Sequence, residues 1–256
     1  MAKQVIDAKV LANHKLNNKY FVLLIKPKKK LELIQPGQFL QLTVPNAPEV
    51  FLRRPISIHD VNYENNTISL LIQIVGKGTQ KLSLLDKGNV VNIIYPLGKG
   101  YSTIEKGQKA LLVGGGCGIA PLLYLAKVLK KEGIDEDIII GFKSKEDIIE
   151  YELYNSIAPT FVTTEDGSMG EKGFVTSHSI FSSLGKYGKI YTCGPEVMMK
   201  AVAKRAKEAG VECEVSLENT MACGIGACLC CVTPTVNGHQ CVCTEGPVFN
   251  SKELLW

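Results

Sequence analysis

The sequence predicts a protein in three parts: an N-terminal antiparallel β-barrel, an α/β nucleotide domain with a doubly wound parallel sheet, and a small C-terminal cysteine-rich domain. Three observations support this prediction. Short apolar segments separated by turn residues fill residues 1–98, strand and helix patterns alternate from residue 108, and six of the nine cysteines lie in residues 217–256. At 256 residues the chain is longer than a usual single domain of about 100 to 200 residues. We place the boundaries at residues 1–99, 100–212 and 213–256.

The N-terminal part reads as six short strands with no helix between them. Turn signals such as Pro36-Gly37 and Asn65-Asn66 separate the apolar runs. A set of short strands without helices is typical of a small antiparallel barrel. The predicted strands are residues 4–10, 20–25, 38–44, 55–59, 68–75 and 90–95.

The middle part alternates strands with helices. Pro121 suits the first turn of a helix, and Ser144 with Asp147 forms the pattern of a capping box that opens another helix. A further helix stops at Gly210. This alternation predicts a mostly parallel, doubly wound sheet. Its recognisable strands are residues 110–113, 137–142 and 189–193.

Composition excludes several classes of protein. Hydrophobic residues make up 45% of the chain and charged residues 21%, and the net charge of +4 comes from lysines interleaved with acids, which predicts a solvated surface and no nucleic-acid binding. The longest uncharged stretch, residues 110–126, is shorter than the roughly 20 residues that span a bilayer. With nine cysteines and no apolar export signal at the N-terminus, we expect a cytoplasmic protein.

Three cysteines in the C-terminal part have the spacing of an iron-sulfur site. Cys223, Cys228 and Cys231 form C-x4-C-x2-C, the plant-type spacing for a 2Fe-2S cluster, which needs four thiolates. Gly224 and Gly226 between them allow a loop to aim backbone N–H groups at the cluster. The alternative is a structural zinc site, but zinc ribbons usually carry two C-x2-C pairs. The pattern favours 2Fe-2S.

The fourth ligand is open at this point. Cys241 and Cys243 lie two apart in a predicted strand, so both point to the same side and the alternation cannot choose between them. Cys230 does not fit the plant-type spacing.

A glycine loop follows the first strand of the middle part and opens a helix, which is the setting in which backbone amides bind a pyrophosphate. It departs from the G-x-G-x-x-G fingerprint, and by itself it could be a tight turn. Gly194 and Pro195 follow a later strand and should reach the same crevice. Glu165 or Asp166 could bind ribose hydroxyls and favour NADH over NADPH, or form a solvated turn. The glycines of the loop are Gly114, Gly115, Gly116 and Gly118.

The barrel carries a second candidate site. Arg54, Pro55, Ile56 and Ser57 lie on a predicted strand, and Gly78 with Thr79 follows a later one. An arginine suits a diphosphate because its charge and fork geometry are fixed, and a serine hydroxyl could bind a flavin edge. A surface ion pair and a turn are the alternative.

Together these motifs resemble a known family. The barrel with R-x-[YFI]-S and GxGT, then G-G-G-x-G-x-A-P-L, then C-G-P, is similar to the ferredoxin-NADP reductase superfamily over residues 1–212. The C-terminal M-x-C-G-I-G-A-C-x-x-C, closing with C-T-E-G-P-V-F, resembles the electron-transfer subunits of dihydroorotate dehydrogenase B. The superfamily often has an aromatic residue where Ile56 stands, so ring stacking on a flavin is not expected there.

The resemblance implies cofactors and their residues. It implies NAD(H) at the glycine loops, and it places Ser57 and Cys193 at the catalytic centre. It also implies Cys243 as the fourth cluster ligand beside Cys223, Cys228 and Cys231. FAD would be held by Arg54, Pro55, Ile56, Ser57, Leu71, Ile72, Gln73, Gly78 and Thr79.

The resemblance also implies a reaction and a partner. A hydride passes from NADH to FAD, and single electrons pass through the 2Fe-2S cluster to FMN in a separate catalytic subunit that oxidises dihydroorotate to orotate in pyrimidine biosynthesis. We expect a heterotetramer with two copies of each subunit. The chain alone should act as an NADH dehydrogenase towards artificial acceptors. The rivals are the flavin subunit of another NAD(P)H-linked complex, such as a hydrogenase or a ferredoxin:NADP transhydrogenase, and a zinc-stabilised non-catalytic module.

Overall fold

Seven antiparallel strands form the N-terminal barrel of the computed structural model, which describes residues 3–256. Their order in the sheet is β4-β3-β7-β1-β2-β6-β5. The strands are β1 (Gln4–Lys15), β2 (Tyr20–Pro27), β3 (Phe39–Leu42), β4 (Arg54–Ser57), β5 (Asp60–Asn62), β6 (Thr67–Gln73) and β7 (Val90–Leu97).

The two edge strands of this sheet belong to one stretch of chain, which closes the barrel. Between β4 and β5, Ile58 N donates to Gln38 O at 3.1 Å and His59 N donates to Ser69 O at 3.0 Å. The chain therefore changes its hydrogen-bonding partner from the β3 side of the sheet to β6 between Ile58 and His59. The predicted antiparallel barrel is confirmed, but the single predicted strand 55–59 is two strands, β4 and β5.

A short helix, α1 (Lys77–Leu82), lies between β6 and β7, so the prediction of strands without an intervening helix is wrong. Gly76 and Gly78 had indicated a turn. The helix forms because Thr79 Oγ1 accepts hydrogen bonds from Val75 N at 2.9 Å and Gly76 N at 3.2 Å, while Leu82 is fully buried in the barrel core. Tertiary packing outweighs the low helix propensity of glycine.

The second sheet is parallel except at one edge and has the order β11-β10-β9-β8-β12-β13-β16. The chain moves outward from β8 to β11 and then returns to β12 on the other side of β8, as a doubly wound fold predicts. Among residues 3–256, no helix is long and apolar enough to cross a membrane. The elements are β8 (Ala110–Gly115), α2 (Ala120–Glu132), β9 (Glu136–Phe142), α3 (Tyr151–Asn155), β10 (Thr160–Thr164), β11 (Glu171–Lys172), β12 (Lys189–Cys193), α4 (Glu196–Glu208), β13 (Glu212–Ser216), β14 (Val232–Thr235), β15 (Gly238–Cys241) and β16 (Val248–Asn250).

The predicted capping box at Ser144 does not form. Residues Lys145–Asp147 make a single 3₁₀ turn, and the next helix is the short α3. The Ser144 side chain receives no hydrogen bond from the backbone of this turn; its hydroxyl lies 3.5 Å from Asp147 Oδ2, while Lys19 Nζ lies 2.5 Å from Asp147 Oδ1.

The cysteine-rich segment shares a core with the parallel sheet. Cys231, Cys241 and Cys243 are buried in the same cluster as Val202 of α4 and Val215 of β13. The strand β16 pairs with β13, and only β14 and β15 form a sheet of their own. The boundary expected after residue 212 falls inside β13, which pairs with β12 along its whole length.

A buried acid at the start of β9 makes stability depend on pH. Glu136 is 5% exposed, neither carboxylate oxygen has a partner among residues 3–256, and burial raises its pKa from 4.5 to about 7. The folded state therefore binds more protons than the unfolded state between these values, so stability falls as pH rises through this range.

We expect Glu136→Gln to raise the free energy of unfolding at pH 8, by up to about 3 kcal/mol, and to change it little at pH 5. Urea unfolding at both pH values measures the effect. The exposed Glu132→Gln is the control and should show no such pH dependence. An equal effect of Glu136→Gln at both pH values would contradict the assignment.

Candidate functional site

A cleft of about 1060 Å³ lies at the carboxyl ends of the central parallel strands. Residues that follow β8, β9, β10 and β12 line one wall, and Lys19, Tyr20 and Gln73 of the barrel line the other. The cleft includes the point between β8 and β12 where the strand order reverses. This is where open α/β sheets bind their ligands.

The two glycine-containing loops meet at the bottom of this cleft. A Cβ on Gly118 would overlap the Cys193 carbonyl oxygen and Gly194 Cα, and one on Gly115 would lie 2.5 Å from Met198 Sδ. Gly115, Gly116, Gly118, Gly194 and Pro195 all line the cleft. The prediction that both loops reach one crevice is confirmed, and the missing side chains of Gly115 and Gly118 allow the two loops to approach each other this closely.

Two other residues that were predicted to bind the nucleotide, Gly114 and Asp166, are not among the residues that line the cleft. Gly114 is buried under the loop, where a Cβ would lie 2.7 Å from Ile119 Cγ2. The Asp166 carboxylate accepts hydrogen bonds from Ser168 Oγ at 2.6 Å and Ser168 N at 2.9 Å, which lower its pKa. Glu165, rather than Asp166, lines the cleft. A ribose contact by Asp166 stays a prediction.

Cys193 ends β12 with its side chain buried. Burial is the largest cause that raises the pKa of this thiol far above its ordinary value, and the charge of Glu218 adds to it. The thiol is therefore protonated at neutral pH. Ser57 is half-buried on β4, paired with Phe39 of β3. Their catalytic roles stay predictions.

The two adjacent arginines have different surroundings. Arg53 binds Asn92 of β7, with Nη1 to the backbone oxygen at 2.8 Å and Nη2 to Oδ1 at 2.6 Å. Arg54 donates to Leu52 O at 2.9 Å, but its Nε is buried without a partner among residues 3–256. Its side chain packs on Gly78, where a Cβ would lie 3.1 Å from Arg54 Cδ. Arg54 thus has unused donor capacity.

A smaller cavity of about 280 Å³ lies beside Arg54. Gly78 and Thr79 line it, so the structure brings these three predicted residues together. The Thr79 hydroxyl is already used within α1. On β6, Leu71 and Ile72 are buried and pair with β2, while Gln73 lines the larger cleft.

Backbone amides of the cysteine loop point at two sulfur atoms. Cys223 Sγ accepts from Ile225 N and Cys228 N, both at 3.4 Å, and Cys243 Sγ accepts from Gly226 N at 3.2 Å. Gly224 and Gly226 adopt the left-handed φ values of 68° and 84° that this wrapping requires. Desolvation raises the pKa of Cys223, but hydrogen bonds from loop amides and from the Cys228 side chain together outweigh it and lower the pKa to about 6. Burial raises the pKa of Cys243 to about 12.

The loop distinguishes the two candidate fourth ligands. Both Cys241 and Cys243 are buried close to Cys231, but within residues 3–256 the loop amides donate to Cys243 and not to Cys241. No three Cys, His, Asp or Glu side chains in this range gather around one point as a single metal ion would require.

The barrel contacts both the cysteine loop and the glycine loop. Gln41 Nε2 donates to Ala222 O at 3.4 Å, and a Cβ on Gly224 would lie 2.7 Å from Gln41 Cδ. Gln41 pairs with Pro55 of β4. At β6, Leu71 O lies 3.9 Å from Cys117 Sγ of the glycine loop. The predicted flavin segments therefore lie between the predicted nucleotide and cluster sites.

Sequence patterns do not predict some residues of the cleft. Glu218, Leu255 and Trp256 line the cleft, and Lys200 Nζ lies 5.8 Å from the centre of the Trp256 ring. No motif or periodicity marks them, because the chain reaches the cleft from β13 and from its C-terminal residues only after folding.

Comparison with protein families gives two matches. Residues 112–204 match the oxidoreductase NAD-binding domain. Residues 218–255 match the iron-sulfur cluster binding domain of dihydroorotate dehydrogenase B, which favours an iron-sulfur site over zinc.

Solved structures support the fold. The chain is similar, at a TM-score of 0.87 and 30% identity, to a structure of NADH-dependent reduced ferredoxin-NADP oxidoreductase, with 97% of this chain and 90% of the other covered. A ferredoxin NADP+ reductase from Neisseria gonorrhoeae, solved with bound FAD and NADP, has a TM-score of 0.68 at 16% identity, with 80% of this chain and 92% of the other covered, and shows the fold alone.

Curated relatives match over almost the whole chain. The dihydroorotate dehydrogenase B (NAD(+)) electron transfer subunit of Fusobacterium nucleatum subsp. nucleatum is 38% identical, with 98% of each chain covered. The subunit of the same name from Caldanaerobacter subterraneus subsp. tengcongensis is also 38% identical, again with 98% of each chain covered. The chain therefore belongs to the family of electron transfer subunits of NAD(+)-dependent dihydroorotate dehydrogenase B.

Proposed function

We propose that this subunit carries electrons between NAD(H) in the cleft and a separate dihydroorotate dehydrogenase catalytic subunit, through FAD and a 2Fe-2S cluster. The observation that carries the proposal is the similarity of 98% of the chain to electron transfer subunits of this enzyme. The position of the barrel between the glycine loop and the cysteine loop supports the same path.

The barrel residues fit FAD. Arg54 Nε has no hydrogen-bond partner in the described part of the chain and lies beside a cavity lined by Gly78 and Thr79, which suits a diphosphate. When bound, FAD accepts a hydride and releases electrons one at a time. Ser57 orients the reactive edge of the flavin in this proposal. Pro55, Ile56, Leu71, Ile72 and Gln73 complete the site.

The cleft fits NAD(H). The amides of Gly115, Gly116 and Gly118 bind the pyrophosphate, with Gly114 supporting the loop from below. Gly194 and Pro195 place the nicotinamide, next to Cys193. Glu165, on the cleft wall, is better placed for the ribose than Asp166.

The cysteine loop fits the cluster. Cys223, Cys228, Cys231 and Cys243 hold the 2Fe-2S cluster, and the amides of residues 225, 226 and 228 stabilise its negative charge. Cys230 and Cys241 lie outside this ligand set.

The partner is an FMN-containing catalytic subunit that oxidises dihydroorotate to orotate, and the complex contains two of each subunit. The net reaction in pyrimidine biosynthesis reduces NAD. Nine cysteines, none of them in a disulfide within residues 3–256, support a reducing cytoplasmic location.

Anaerobic purification with FAD, iron and sulfide analysis tests the proposal. We expect flavin and 2Fe-2S absorption bands that both bleach when NADH is added, activity of the chain alone with artificial acceptors, and dihydroorotate oxidation only with the catalytic subunit. A colourless protein that holds zinc would overturn the proposal.

A second candidate is a subunit of a ferredoxin-NADP oxidoreductase, which the 30% identity to a solved structure of that type supports. The higher identity of 38% favours dihydroorotate dehydrogenase B. Reduction of the cluster by reduced ferredoxin, without any response to the dihydroorotate-oxidising subunit, would reverse this preference.

The two arginines provide a paired prediction. We expect Arg54→Ala to weaken FAD binding by about 2 kcal/mol, roughly 30-fold, because a charged hydrogen-bond donor is lost. Arg53→Ala should instead lower the free energy of unfolding, since Arg53 binds Asn92 within the barrel. Titration of the apoprotein with FAD and urea unfolding measure the two effects. Loss of FAD affinity in Arg53→Ala alone would reverse the assignment.

A further inference from the structure

A buried histidine joins the barrel to the nucleotide-binding part of the chain. His59 is 1% exposed and lies where the chain crosses from β4 to β5, with its backbone N donating to Ser69 O at 3.0 Å. Its ring Nδ1 lies 2.8 Å from the backbone oxygen of Ala120, the first residue of α2. One side chain therefore links two segments that are 61 residues apart in the chain.

This link lies close to both sites of the proposed function. Ser57, on the strand that fits FAD, precedes His59 by two residues. Gly118, in the glycine loop that fits the nucleotide, precedes Ala120 by two residues. The hydrogen bond between His59 and Ala120 therefore constrains how far the glycine loop lies from β4.

The partners of the His59 ring determine its orientation. A backbone carbonyl oxygen only accepts hydrogen bonds, so Nδ1 carries a hydrogen and donates it to Ala120 O. On the other side of the ring, Nε2 lies 3.0 Å from Glu150 Oε2, just before α3. The two atoms are too poorly aligned for a hydrogen bond, and neither has a hydrogen-bond partner among residues 3–256. A nitrogen lone pair would be repelled by a carboxylate at this distance, so the two groups share a proton, and Glu150 orients the ring.

A second hydrogen bond holds the neighbouring carbonyl group. The hydroxyl of Tyr154, a fully buried residue of α3, donates to Ile119 O at 2.6 Å. Two consecutive carbonyl oxygens directly after the glycine loop are thus bound by side chains. The Tyr154 bond fixes the loop within the nucleotide-binding part, whereas the His59 bond fixes it relative to the barrel.

We propose that His59 is a positioning residue for hydride transfer, which holds the glycine loop at the distance from β4 that brings nicotinamide and flavin together. The inference rests on the proposed function, in which these two rings meet between the barrel and the cleft. A displacement of reacting groups by about 1 Å can lower a rate by about 100-fold. His59 acts through the backbone of the loop, with Glu150 as the group that orients its ring.

Anaerobic stopped-flow reduction of the FAD-loaded protein by NADH tests the proposal. In His59→Ala we expect the limiting rate of flavin bleaching at saturating NADH to fall by about 10- to 100-fold. The dissociation constant for NAD+ should stay close to that of the unmodified protein, because the loop amides themselves are unchanged. His59→Asn should recover most of the rate, since its amide N–H can replace Nδ1 at Ala120 O. Glu150→Ala should lower the rate in the same direction as His59→Ala.

The adjacent ion pair supplies a matched control. Lys127 Nζ of α2 lies 2.5 Å from Asp60 Oδ2, so it joins the same helix to the next barrel residue. This pair is partly exposed, and such pairs contribute only about 0 to 1 kcal/mol. Lys127→Gln should therefore keep the limiting rate of the unmodified protein. An equal loss of rate in Lys127→Gln and His59→Ala would show a general weakening of the contact between the two parts and would overturn the proposal.

Hydrogen exchange of the holoprotein without NADH gives a second measurement that does not depend on turnover. Peptides that cover residues 114–124 should exchange faster in His59→Ala than in the unmodified protein and in His59→Asn. Peptides that cover residues 194–200, on the other loop of the cleft, should exchange at the same rate in all three proteins.

An unchanged limiting rate in a folded His59→Ala would overturn the proposal, even if urea unfolding showed a loss of stability, because His59 would then be only structural. A weaker affinity for NAD+ with an unchanged limiting rate would also overturn it. Failure of the proposed function is distinct, since the unmodified protein would then lack flavin or would not respond to NADH.

Discussion

Replacing Gly118 by alanine is expected to slow the reduction of the bound flavin by NADH by about 100-fold. The added Cβ would overlap the Cys193 carbonyl oxygen and Gly194 Cα, which are backbone atoms that no side-chain rotation can move away. Gly118 has no positive φ, so the effect is steric and not a matter of backbone strain. Separating the loops displaces the groups that position the nucleotide, and a displacement of about 1 Å can cost about 100-fold in rate.

Stopped-flow measurement of flavin bleaching against NADH concentration tests this result. We also expect a loss of about 1 to 3 kcal/mol in the free energy of unfolding, the usual effect of overpacking. Gly185→Ala is the matched control, because within residues 3–256 no atom beyond its chain neighbours and its own helical turn lies within 4 Å of its added Cβ. Normal bleaching in Gly118→Ala would mean that NADH binds elsewhere.

Replacing Cys243 by serine is expected to remove the 2Fe-2S cluster while flavin bleaching by NADH persists. Gly226 N of the loop donates a hydrogen bond to Cys243 Sγ, so this sulfur atom lies against the inner side of the loop. Removing a residue that only hydrogen-bonds to a metal ligand can lower metal affinity by about 10- to 100-fold, and removing the ligand itself lowers it more. Electron transfer beyond the flavin should fail with the cluster.

Cys241→Ser separates this result from general damage to the core. Cys241 is buried close to Cys243 and carries the same thiol, but it lies outside the proposed ligand set. Iron and sulfide analysis with the visible spectrum should show a cluster in Cys241→Ser and none in Cys243→Ser. The opposite pattern would make Cys241 the fourth ligand.

Several elements could be predicted from local patterns. The alternation of apolar residues located the main barrel strands, and the strand-loop-helix pattern around β8 and β12 located the cleft. These predictions succeeded because burial of one face imposes a period on the sequence. Helix α1 was missed, since Gly76 and Gly78 argue locally for a turn while Leu82 and the Thr79 hydrogen bonds stabilise a helix.

The sequence by itself determined the order of the three parts, the glycine loops and the group of cysteines, because spacing along the chain is enough to specify them. Only the tertiary structure decided which distant groups meet. It brought Gly118 against Cys193 and Gly194, directed a loop amide to Cys243, and gave Arg53 a partner while leaving Arg54 Nε without one within residues 3–256. Such contacts join residues far apart in the chain, and their geometry depends on how strands and loops pack, which no local pattern records.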